Sequence, residues 1–352
     1  MGAICSREVL KSGPPLSLSE TYPDSVSLLT GTVDGAGVNA LASTTTSLFV
    51  GYNSGKVSQH ALDGASLNSG PFHTWDAHES RAVTSLAVGG GLLASASRDS
   101  TVGIWRYQSP HVAGVDTRVG VLKGHSLTVS SVDVNTDGSR VATGGRDCFV
   151  KVWDVEGGGG CKEVLGVHLP QNVVTCVQWG KGGGSGNVLY QGGEDLRVRL
   201  WDVRVGLSHP ATTLEGFTYF PLCLDTHPDG VHLVTSSKGF NGVGCELRVW
   251  DVRGGVKGAL FDTLQGHHQD TTSCLFTNTC GGEIASASKD GTVRIWNWKV
   301  EDSATSDTKA VAVLSKAGSC FSSLAALSTR QSKKTTTLAA GCAEGGVSFF
   351  RT

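Results

Sequence analysis

The chain has 352 residues, 39% of them hydrophobic, enough for a sizeable core and too many for wholesale disorder. Its net charge of −2 gives no overall field that would draw it to nucleic acid, and no nucleic-acid partner is expected. Glycine reaches 48 residues without a three-residue period, which points to many tight turns between short strands and excludes collagen.

At the start, Met1-Gly2-Ala3-Ile4-Cys5-Ser6 fits an N-myristoylation pattern, with Gly2 as acceptor once Met1 is removed. One myristoyl chain holds a membrane only marginally, so a second signal is needed, and Cys5 suits palmitate. Chance occurrence of the pattern is the competing reading. Residues 1–20 are expected to form a flexible tail, and residues 21–352 a single domain.

From there the sequence repeats. The segments ending at Trp105, Trp153, Trp201, Trp250 and Trp296 are spaced 48, 48, 49 and 46 residues apart. Four of them carry an aspartate six positions earlier: Asp99, Asp147, Asp195 and Asp290. A glycine-histidine pair precedes two copies, at His125 and His267, and Ala77-His78 is a variant of it. Two weaker copies flank the five, one ending at His60 and one carrying Glu344 and Phe350 in place of aspartate and tryptophan. Alternation in V-R-L-W and V-R-I-W is that of a strand with one buried face, and D-S, D-G and G-G mark the turns. Seven copies of four strands predict an all-β protein, a single seven-bladed propeller. The last copy lacks its fourth strand, which Ser25–Leu29 is expected to supply, closing the ring without an open edge.

These motifs resemble the WD40 repeat. The resemblance implies a hydrogen-bonded set of turn aspartate, histidine, strand hydroxyl and tryptophan within a blade, here Asp147, His125, Thr143 and Trp153. The middle of the chain also resembles WD repeat-containing protein 31. The likeness rests on Asn172-Val173-Val174-Thr175, Glu194-Asp195 and the Gly239-Phe240 loop running to Trp250-Asp251. It implies a role at a cilium or flagellum or its base, and together with the N-terminal acylation pattern it leads to the expectation of a lipid-tethered adaptor at the cytoplasmic face of a membrane there. Ciliary trafficking or GTPase-regulating proteins would be its partners. Two other readings stay open: a structural axonemal component, and a substrate receptor of a cullin-type ubiquitin ligase, since Trp201-Asp-Val-Arg204 and Trp250-Asp-Val-Arg253 match the W-D-x-R element.

On the face bearing the aspartate turns, called the top, turns are short except at Lys238–Cys245. Phe240 there is either a contact residue or a cover for a neighbouring blade. Arg98, Arg146, Lys238 and Lys289 surround the turns; they suit an acidic partner or are simply solvated. No enzyme or cofactor is expected. Ten cysteines without a C-x-x-C pair read as reduced, packed thiols, and no ligand cluster for zinc is seen. The glycine-rich segments lack the following helix of a phosphate or dinucleotide loop.

Overall fold

The computed structural model describes residues 7–8, 28–29, 35–62, 71–107, 117–155, 161–182, 185–253, 259–277, 282–298, 310–315, 319–327 and 337–351. They form seven antiparallel sheets, six of four strands and one of five, with the strands running from an inner to an outer position. Blade 3 is typical: Val129–Val134, Arg140–Gly145, Phe149–Val155 and Cys161–His168. Blade 4 runs from Val174–Trp179 to Thr212–Leu214, blade 5 from Pro221–Thr226 to Ala259–Leu264, and blade 6 from Thr271–Phe276 to Ala310–Ser315. Blades 1 and 2 begin at Val38–Ser43 and Val83–Gly89, and blade 7 at Phe321–Leu327.

The missing fourth strand of blade 7 comes from the start of the chain. Leu28 and Leu29 pair antiparallel with Ser348 and Val347, which closes the seven-bladed ring. Within the segment expected as a tail, Arg7–Glu8 add a fifth strand to blade 6, opposite Leu314 and Val313. Gly2 and Cys5 lie outside the described residues.

The alternation read from V-R-L-W and V-R-I-W holds in those third strands, but the second strand of each blade does not share it. Ser47–Tyr52 and Leu92–Ser97, for example, are buried at every position. Each blade packs face to face against both neighbours, so a middle strand meets protein on either side. The core is accordingly divided into seven clusters, one at each blade–blade interface.

Two polar devices tie the inner strands together. The second residue of every inner strand sits at a β-bulge, which turns its side chain toward the next blade. In five blades this side chain donates to the neighbouring inner strand: Asn39 to Val83 O at 2.9 Å, Thr84 to Val129 O at 2.6 Å, Ser130 to Val174 O, Thr272 to Phe321 O at 2.9 Å, and Ser322 to Val38 O at 2.6 Å. The last of these joins blade 7 to blade 1. Blades 4 and 5 interrupt the belt, because the Thr175 hydroxyl meets the Cys176 thiol instead and blade 5 has Leu222 there. Toward the bottom of the channel, Asp225 of blade 5 takes over. Its carboxylate accepts Gln178 Nε2 at 2.9 Å and Lys181 Nζ at 2.5 Å from blade 4, and the Phe276 amide of blade 6 at 2.7 Å.

Candidate interaction surface

Three blades carry the complete polar set. In blade 3, His125 bonds Asp147 through Nδ1 at 2.9 Å and Thr143 through Nε2 at 2.8 Å, and Trp153 Nε1 donates to the same hydroxyl at 2.9 Å. His78, Asp99, Ser95 and Trp105 repeat this in blade 2, and His267, Asp290, Ser286 and Trp296 in blade 6. Burial lowers the pKa of His125 and His267 despite their aspartates, so the neutral imidazole is favoured inside these blades. All these side chains point into the blades and hold the turns of the top face in place. They are scaffold.

The other blades depart from the pattern. Blade 5 keeps only Trp250 Nε1 to Thr235 at 3.1 Å. Blade 4 has Asn172 and Gln191 at the positions of the histidine and the hydroxyl, while Asp195 pairs with Arg199. Both Gln191 amide atoms and Trp201 Nε1 are buried without a hydrogen-bond partner among the described residues. In blade 1, His60 replaces the tryptophan and Ser58 bridges it to the Tyr52 hydroxyl. With no acid beside it, His60 is pushed down to about 4 by burial.

The top face shows where these departures lead. Phe240 does not fold back: the residue is 66% exposed. Its backbone instead is held against blade 6, bridging to Gln269, while the Gly242 amide donates to His268 O at 3.1 Å and the Gly239 amide to Asp270 at 3.0 Å. The loop is compact because Gly244 sits at φ +76°, where a β-carbon would come within 2.2 Å of the Tyr219 ring. Four further apolar side chains stand exposed on the top loops of blades 3 to 5: Leu127, Leu196, Tyr219 and Val243. Sequence reasoning missed these four, since nothing in composition separates an exposed leucine at a turn from a buried one. Of the cations, Arg98 and Arg146 are exposed, Lys289 pairs with Asp270 at 2.8 Å, and Lys238 lies 5.0 Å from the Phe220 ring.

At the bottom, Arg204 and Arg253 are both clasped by the aspartate two residues earlier, each with a 2.6 Å bond. The expectation that the histidines form no ligand cluster needs correction. His227, Asp229 and His232 meet on the bottom turn of blade 5, with ligand atoms within 4.8 Å of one another. The sequence signal was H-P-D-G-V-H, in which a tight turn brings the two histidines to one aspartate.

Seven sheets in a closed ring, three of them with complete tetrads, define a seven-bladed β-propeller built of WD40 repeats. The family model "WD domain, G-beta repeat" matches residues 69–106, 116–154 and 258–297, the segments that hold the three tetrads. Propellers of this class are platforms for protein–protein interaction. Among curated proteins, the chain is similar to the "Ribosome biogenesis protein WDR12 homolog" of Chlamydomonas reinhardtii, 30% identical over 60% of this chain and 52% of that protein. It is also similar to the "Periodic tryptophan protein 2 homolog" of Dictyostelium discoideum, 29% identical over 55% of this chain and 19% of that protein. The "Nuclear distribution protein PAC1" of Arthroderma otae is 28% identical over 51% of this chain and 38% of that protein. The chain thus spans about half the length of the WDR12 relatives it matches, and less of the others.

These relatives overturn the expected location. The WDR12 relatives are named as ribosome biogenesis proteins, and none of the relatives described is named for a membrane or a cilium. The likeness to WD repeat-containing protein 31 gives way to them as well. No helix among the described residues is long and apolar enough to cross a membrane.

Proposed function

We propose that the chain is a non-catalytic scaffold that docks a protein partner across the top of blades 3 to 5, within an assembly that serves ribosome biogenesis. The observation that carries this reading is the row of exposed Leu127, Leu196, Tyr219, Phe240 and Val243 on three adjacent blades. Large apolar side chains held on rigid turns lose little freedom on binding, and desolvating them is the main source of affinity in a protein interface. Arg146 and Lys238 flank the row, so a partner segment with apolar anchors and acidic neighbours fits it. The process comes from the names of the WDR12 relatives.

Sucrose-gradient sedimentation of cell extracts tests both parts, using the wild-type chain and a Leu196→Ser/Phe240→Ser variant. The wild type is expected to travel with pre-ribosomal particles, and the variant to fall to the light fractions while melting like the wild type. A variant that still sediments with the particles would refute the docking surface. A wild type found only in light fractions would refute the assignment to ribosome biogenesis.

A further inference from the structure

Blades 3 and 5 make the same turn between their first two strands. In Asn135-Thr136-Asp137-Gly138-Ser139-Arg140, the aspartate Oδ1 accepts the Ser139 amide at 2.8 Å, and the Gly138 amide donates to Asn135 O at 3.0 Å. In His227-Pro228-Asp229-Gly230-Val231-His232, Asp229 Oδ1 likewise accepts the Val231 amide at 2.8 Å, and the Gly230 amide donates to His227 O at 3.0 Å. The turn therefore forms with either pair of flanking residues. Blade 5 places an imidazole at both flanking positions, where blade 3 has Asn135 and Arg140.

Because Oδ1 is occupied by the turn, Oδ2 of Asp229 is left to face the two rings. His232 Nδ1 lies 2.7 Å from it and His227 Nδ1 2.9 Å. Aromatic packing fixes both rings. His227 meets Phe276 edge-on at 5.0 Å and Trp298 at 5.9 Å, and His232 lies 4.7 Å from Trp298 and 5.6 Å from Phe261. The site stays open to solvent on one side, with the Asp229 side chain 33% exposed.

One contact separates this group from an ordinary hydrogen-bonded pair. His227 Nδ1 accepts the Asp229 amide at 3.3 Å, so it presents a lone pair to the turn. The same nitrogen stands at 2.9 Å from a carboxylate oxygen, which repels a lone pair unless a cation or a proton lies between them. Two imidazole nitrogens and one carboxylate oxygen converging on one point are the donor set of a borderline divalent transition ion. Edges of a tetrahedral zinc site measure about 3.3 Å with bonds near 2.0–2.1 Å. The two edges to Asp229 Oδ2, at 2.7 and 2.9 Å, would widen by about half an ångström, and the three ligand atoms lie within 4.8 Å of one another.

We propose that His227 Nδ1, His232 Nδ1 and Asp229 Oδ2 bind a zinc-class divalent ion on the bottom rim of blade 5. The aromatic rings hold the imidazoles in place, and the solvent side leaves at least one coordination position for water or for a donor from a bound partner.

The test is a titration of the full chain with Co(II) and Zn(II), against a His227→Asn/His232→Arg variant that copies the turn of blade 3. The wild type is expected to take up one equivalent, show a Co(II) ligand-field band without thiolate charge transfer, and melt higher with Zn(II). The variant is expected to bind at least roughly tenfold more weakly, as metal sites do when their ligand set is disrupted. In the wild type alone, Zn(II) must shift the imidazole resonances of His227 and His232 before those of the other histidines; this readout does not depend on how well the variant folds. Equal affinity of the two proteins, a thiolate band, or a shift of other histidines first would each overturn the site.

Discussion

Blades 2, 3 and 6 differ from blades 4 and 5 in how they are held, although all share the same four-stranded frame. The first group combines a complete histidine–aspartate–hydroxyl–tryptophan set with a bulge side chain that reaches the next blade. Blades 4 and 5 lack the full set, and the belt is broken at both. They still form because the apolar interfaces on either side are as continuous there as elsewhere, with Val174, Val177, Leu189, Trp201, Leu224, Leu233 and Trp250 all buried. Burial of apolar area makes a blade, and the tetrad then fixes its top turns. Where the tetrad is gone, the top loops are released to carry other residues, and most of the exposed apolar row and the Gly239–Cys245 loop lie on these two blades.

The largest expected effect strikes the joint that replaces the belt. Asp225 is buried and receives hydrogen bonds from Gln178, Lys181 and the Phe276 amide, so it knits blades 4, 5 and 6. Asp225→Ala leaves three donors without their acceptor, one of them charged. Breaking a buried ion pair costs about 3–5 kcal/mol, and the half-exposed Lys181 places this case at the lower end. Urea unfolding should show that loss, with hydrogen exchange of blades 4 and 5 accelerating first. Uniform loss of protection around the ring would mean that these blades have no joint of their own.

Acid gives the next largest effect. His60 titrates at about 4 in the folded chain against 6.5 when unfolded, so between those values the unfolded state takes up a proton that the native state refuses. Its contribution is complete above pH 6.5 and declines as pH falls toward 4, by up to about 3 kcal/mol. His125 and His267 are lowered by burial and act in the same direction. Asp133 opposes them. Burial raises it to about 6 from 3.8, so the native state binds its proton first, and that contribution, present at low pH, is lost as pH rises through 6. Denaturant midpoints taken from pH 7 to pH 4 should therefore fall, and His60→Gln should flatten the curve. An unchanged slope in that variant would show that His60 is not buried neutral in the folded state.

The repeat was legible because its evidence is local: tryptophan spacing, an aspartate six residues before, and turn dipeptides. Closure by the 25–29 segment was legible from the count of strands. The glycine-rich loop could be placed, and Phe240 could be picked from it, but whether its ring faced solvent depended on the backbone bridge to Gln269, a residue of the next blade. Asp225 was illegible for the same reason, since its partners lie about 45 to 50 residues away on adjacent blades. The His227–Asp229–His232 group was within reach of the sequence, because one turn makes it. Its spacing alone does not show that the turn aims both imidazoles at the same carboxylate oxygen, which depends on the aromatic packing of Phe276, Trp298 and Phe261 around them. The location followed a family resemblance and a six-residue N-terminal pattern, neither of which depends on the fold, and the names of the WDR12 relatives overturn it.

The smallest effect is the sharpest test of what the tetrad contributes. Thr143 in blade 3 and Gln191 in blade 4 occupy the same place, ten residues before the blade tryptophan, and both are fully buried. Thr143 serves His125 and Trp153 together, so Thr143→Val leaves two buried donors or acceptors unpaired and should cost roughly 1–3 kcal/mol. Gln191 serves no partner among the described residues, so Gln191→Leu removes a polar group already deprived of hydrogen bonds and should be neutral or stabilising by up to about 1 kcal/mol. The comparison is made by urea midpoints of the two variants side by side. If Gln191→Leu destabilises as much as Thr143→Val, the amide has found partners of its own, and blade 4 is held by a polar set as specific as that of blade 3.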